Sequence, residues 1–136
     1  MKIKCFAKNK VNAKLDFFHP VKSLNLDEII SEIKKSQYSE SWIVRAEGKT
    51  LYLLTNPENA VLTYVELDLT VKHEDPEKTF VSILEKNNRQ EEKFYALNNE
   101  VQKYPSRNVI DKKFALEKFK EFYDSGEVKG VEWERV

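Results

Sequence analysis

Hydrophobic and polar residues alternate along this chain with two different periods. Leu26, Ile29, Ile30 and Ile33 fall at i, i+3, i+4 and i+7, which is one face of a helix. Asn25 can cap that helix, with Glu28 three residues later and Leu24 and Ile29 spaced for a hydrophobic staple. Asp27 and Glu28 in the first turn and Lys34 and Lys35 near the end complement the helix dipole. The pattern predicts a helix from Leu26 to Gln37. A second stripe (Ala115, Leu116, Phe119, Phe122, Tyr123) predicts another helix. Asp111 is its N-cap, and Gly126 occupies the left-handed C-cap position.

The remaining patterned segments have the period of strands. Ile3, Cys5 and Ala7 alternate with lysines, and this spacing points Cys5 inward as a small buried hydrophobe. Ala13 to Phe18 gives a short second extended piece before His19-Pro20. Trp42–Ala46 and Thr50–Leu54 flank Glu47-Gly48-Lys49, a hairpin signal, and Asn56-Pro57-Glu58-Asn59 is a turn by composition. The segment from Val61 to Lys72 alternates at its end, Val65, Leu67, Leu69 and Val71 against Glu66, Asp68, Thr70 and Lys72, which predicts one buried and one wet face. Residues 73–78 form an exposed loop. Thr79–Leu84 and Lys93–Leu97 are two further strands, and Val131-Glu132-Trp133-Glu134 is a terminal one. These elements add up to one α+β domain over residues 1–136. Its antiparallel sheet has five to seven strands, with two main helices packed on it.

Composition narrows the functional classes. The chain has 136 residues, of which 16 are aromatic, so it can bury a core without a disulfide or metal staple. No apolar run is long enough to span a membrane or serve as a secretory signal, and the single Cys5 suits a reducing cytoplasmic compartment. The zero net charge hides an asymmetry. Residues 1–25 carry six lysines against one aspartate, whereas Glu66–Glu92 carry eight acidic against four basic residues. The lysine-rich start reads as a solvated edge, not as a nucleic-acid footprint.

Catalytic motifs are missing from the sequence. The three glycines (48, 126, 130) build no phosphate loop, and no Gly-x-Ser-x-Gly elbow is present. One cysteine and two histidines, His19 and His73, make a poor metal-ligand set. His73-Glu74-Asp75 lies in a charged loop, where carboxylates are ordinarily just solvated. The expectation is a chain without catalytic residues, metal or cofactor.

The last third reads Tyr104-Pro105, Val109-Ile110-Asp111, Ala115, Phe119, Phe122-Tyr123, Ser125-Gly126 and Val131-Glu132-Trp133. This resembles the C-terminal signature of bacterial immunity proteins encoded beside polymorphic and contact-dependent growth-inhibition toxins. Leu53-Leu54-Thr55-Asn56-Pro57 and Leu62-Thr63-Tyr64 resemble that family's central hairpin. Two positions depart from the pattern: Asp111 and Val128 stand where the family often has proline. A capping aspartate is a physically sound replacement for a helix-starting proline.

The resemblance implies a cytoplasmic immunity protein that binds a cognate toxin C-terminal domain and occludes its active site or substrate access. It implies no direct contact with nucleic acid or membrane. Many such toxins act on nucleic acids through basic faces, so an acidic surface would steer encounter. The candidate contacts are Glu66, Asp68, Glu74, Asp75 and Glu77, and Trp133 is expected to be a core anchor. The residues alone also allow a protein-binding or regulatory α+β domain unrelated to toxins, and a small hydrolase or nucleic-acid-modifying enzyme.

Overall fold

The hairpin read at Glu47-Gly48-Lys49 forms the centre of the sheet. A computed structural model describes residues 2–8, 16–18, 26–66, 78–83, 91–95 and 100–136, with backbone alone for 2–8 and 16–18. Among these residues the strands are β1 (Lys2–Lys8), β2 (Asp16–Phe18), β3 (Tyr38–Val44), β4 (Lys49–Thr55), β5 (Asn59–Glu66), β6 (Lys78–Ile83), β7 (Glu91–Tyr95), β8 (Val101–Pro105), β9 (Ile110–Asp111) and β10 (Glu132–Arg135). The helices are α1 (Leu26–Lys35) and α2 (Lys112–Ser125). Seven strands lie side by side in the order β10-β6-β5-β4-β3-β1-β2, every neighbour antiparallel. The short β9 joins β5, while β7 and β8 pair only with each other. The expected α+β architecture is therefore present.

Local chemistry explains the element ends. Asp111 accepts the Phe114 amide at 3.2 Å, and Gly126 adopts φ 76° while its amide returns to Phe122 O at 2.8 Å. Both caps stand where the sequence put them. Helix α1 stops at Lys35, short of Gln37. The Ser36 hydroxyl and amide turn back onto Glu32 O and Ile33 O, and its own carbonyl is taken by Lys112. Strand β3 begins at Tyr38, earlier than Trp42, because small polar residues fill its buried positions. Ser39 bonds the hydroxyl of Thr55 directly across the ladder.

The two helices run antiparallel over one face of the sheet. Lys112 at the start of α2 meets Ser36 after α1, and Lys120 meets Asp27 at the start of α1. Beneath them lie Ile29, Ile33, Ile43, Leu51, Leu53, Leu62, Phe119 and Phe122, all essentially fully buried. Each such side chain contributes roughly 1.5–3 kcal/mol. Register opposes Ile3 to Ile43 and Cys5 to Ser41, so the reading of β1 as a strand stands.

The expected alternation is met at Val65, buried, and Glu66, exposed, while residues 67–72 lie outside the described residues. The central strands are covered on both faces. Leu53, Leu54 and Thr55 are buried in succession, as are Ala60, Val61 and Leu62. The opposite face is covered too. The β7–β8 hairpin drops Phe94 onto Leu54, Val61, Val81 and Val109 to make a second, smaller core. A 3₁₀ turn at Ser106–Asn108 closes this layer. Ser82 Oγ takes the place of a ladder carbonyl, accepting from Leu62 N and donating to Asn108 O at 2.9 Å.

Candidate functional site

The end of α2, the strands β4 and β5, and the terminal strand β10 converge on the helix side of the sheet. Their convergence leaves a notch of about 260 Å³ lined by Lys49, Tyr64, Gly126–Lys129 and Trp133. Tyr64 is its floor. Its ring centroid lies 6.0 Å from Trp133, 6.2 Å from Phe80 and 6.2 Å from Phe122, the last edge-on. Trp133 is half-buried and packs against the main core, so it is both a packing residue and a wall of the notch.

A guanidinium holds the notch's helix wall in place. Arg45, just beyond β3, donates to Phe122 O at 3.3 Å and Tyr123 O at 2.9 Å, and lies 6.0 Å over the Phe122 ring. It thereby satisfies carbonyls that the end of a helix leaves open. Glu47 pairs with Arg45, and that bond holds its carboxyl below the usual range. Glycine is required at 126 for two reasons. The backbone is left-handed, and a Cβ there would stand 2.7 Å from Arg45 Nε and 3.0 Å from Glu47 Oε1.

Of the five acidic residues expected to make contacts, Glu66 lies at this rim. It is exposed, accepts the Tyr64 hydroxyl at 3.3 Å, and is opposed in register by Lys49 on one side and Lys78 on the other. Burial, and then the Glu66 carboxylate, push the Tyr64 phenol up to about 12. Asp68, Glu74, Asp75 and Glu77 lie outside the described residues, as do His19 and His73. Composition and charge did not single out Tyr64 or Lys49. In the sequence Tyr64 is only part of a family-like hairpin, and the meeting of residues 64 and 133 depends on the strand order β10-β6-β5.

A second groove of about 370 Å³ runs between α1 and α2. Its floor residues Ile30 and Leu116 are already buried, and Lys120 bridges to Asp27 at 3.4 Å. Among the described residues no three His, Cys, Asp or Glu side chains gather to hold a metal ion, and no helix is long and apolar enough to cross a membrane. No protein-family model matches the chain, and no curated protein matches it with significance.

Proposed function

We propose that this chain is an immunity protein that binds the toxic C-terminal domain of a cognate effector and blocks its active site or the approach of substrate. It acts by occupancy and carries out no turnover. One observation carries the reading: the two segments that resemble immunity proteins come together at the surface in this notch. Tyr64 of the central hairpin and Trp133 of the terminal strand stand 6.0 Å apart, with Gly126 of the helix end beside them. An aromatic notch with a carboxylate on its rim suits protein recognition, because buried Trp and Tyr dominate binding energy and rim charges set register and encounter rate. The acidic balance of Glu121–Val136, five acidic against two basic residues, supports a basic partner.

Co-expression with the toxin domain encoded beside this chain tests the reading. Restored growth together with a stable stoichiometric complex is the expected result. Rescue with no complex, or a complex that leaves the toxin active, would overturn it.

A further inference from the structure

The notch has the room of one long side chain, and its walls favour a cation. Tyr64 and Trp133 present ring surface at 45° to one another. The negative end of α2 closes one side, at Gly126. That same helix end already holds one guanidinium, Arg45, laid over Phe122. On the rim, Glu66 makes no ion pair among the described residues, and its bond from Tyr64 leaves acceptor capacity on the carboxylate. Two lysines also line the notch. Lys129 faces Glu127 at 3.9 Å, so its charge is met locally. Lys49 stands opposite Glu66 in the register, on a flexible stem that can swing aside.

We infer that the Tyr64–Trp133 notch is the seat of an arginine side chain from the partner's basic face, with its guanidinium stacked on the rings and bonded to Glu66. This rests on the protein-binding reading above and names what that site takes. Arginine fits better than lysine because a planar guanidinium can stack and bond a carboxylate at once.

The full chain carries its own internal control, since Trp42 lies against Tyr52 on the opposite face of the sheet. The probe is acetyl-Gly-Arg-Gly-amide, titrated to millimolar concentration while the two indole N–H resonances are followed. The Trp133 signal should shift saturably and the Trp42 signal should stay. The neutral citrulline analogue should bind about tenfold more weakly. Glu66→Gln should weaken the arginine peptide about fivefold, and Lys49→Met should tighten it. A still Trp133 resonance, an equal response to citrulline, or indifference to Glu66→Gln would overturn the assignment. The toxin domain separates the two readings. If it binds wild type and Glu66→Gln equally well, the arginine seat fails and the immunity reading stands. If the peptide seats as described and no adjacent toxin is neutralised, the immunity reading fails and the seat stands.

Discussion

The Nζ of Lys112 donates to the carbonyl of Ser36 across 3.1 Å, so the first residue of α2 caps the end of α1. The lysine is buried, and burial lowers its pKa. Lys112→Met keeps the aliphatic stem and removes the donor, leaving a carbonyl without its partner at a cost of about 1–3 kcal/mol. Urea unfolding should show a lower midpoint with an unchanged slope.

The same contact has a signed dependence on pH. Between the lowered folded pKa and the ordinary lysine value of about 10.4, the unfolded chain binds more protons. Stability referred to this group therefore rises with pH across that window. The difference between wild type and Lys112→Met should carry this rise. A flat difference would show that Lys112 is not desolvated.

Gly126 and Gly130 share φ 76° yet should respond differently to alanine. Each pays the left-handed penalty of about 1–2 kcal/mol. At Gly130 the nearest atom to a new Cβ is the flexible Lys118 Nζ at 3.5 Å, whereas at Gly126 it is Arg45 Nε at 2.7 Å. Gly126→Ala must therefore also loosen the Arg45 clamp on Phe122 and Tyr123, adding about 1–3 kcal/mol. In an Arg45→Ala background the two glycine substitutions should cost nearly the same. A gap that persists there would assign the extra cost to something other than the clamp.

Tyr64 should titrate above an ordinary tyrosine. Its proton is held to about 12, while an unfolded tyrosine ionises near 10. Across that window the folded state binds more protons, so stability falls as pH rises. The ultraviolet phenolate difference between wild type and Tyr64→Phe should appear at about 12. Glu66→Gln should move it downward, because the carboxylate's charge contributes after burial. A difference signal near 10 would mean that the ring is wet and the notch open.

The parts of this fold that were legible in the sequence are those whose chemistry is local. Asp111 and Gly126 announce the ends of α2 because capping needs one side chain or one torsion angle at a fixed offset. Gly48 announces a hairpin for the same reason. The covering of the second face was less legible. Leu53-Leu54 and Ala60-Val61-Leu62 are continuous apolar runs that fit strands buried on both sides, but the cover is β7, whose Glu91-Glu92-Lys93-Phe94-Tyr95 brings one fully buried side chain, Phe94, behind three charged residues. The notch was least legible. Glu66 stands out by charge alone, while Tyr64 and Trp133 become neighbours only through β6 between them.

The β7–β8 hairpin should open as a unit of its own. Among the described residues it pairs with no strand of the main sheet and is fastened by side chains. Phe94 is fully buried and meets Tyr104 edge-on at 5.9 Å. Tyr95 meets Tyr38 at 4.6 Å, and Glu92 accepts from Asn56 and Asn59 at 3.0 Å. Phe94→Ala removes the largest of these at a cost of about 3–5 kcal/mol. Because the hairpin shares no backbone ladder with β4 or β5, much of that cost should fall on its own docking. Hydrogen exchange at residues 91–95 and 101–105 should accelerate steeply, while the amides of α2, on the other face, stay protected until global unfolding. Equal acceleration in α2 would show that the second core is part of one cooperative unit and that the hairpin cannot open alone.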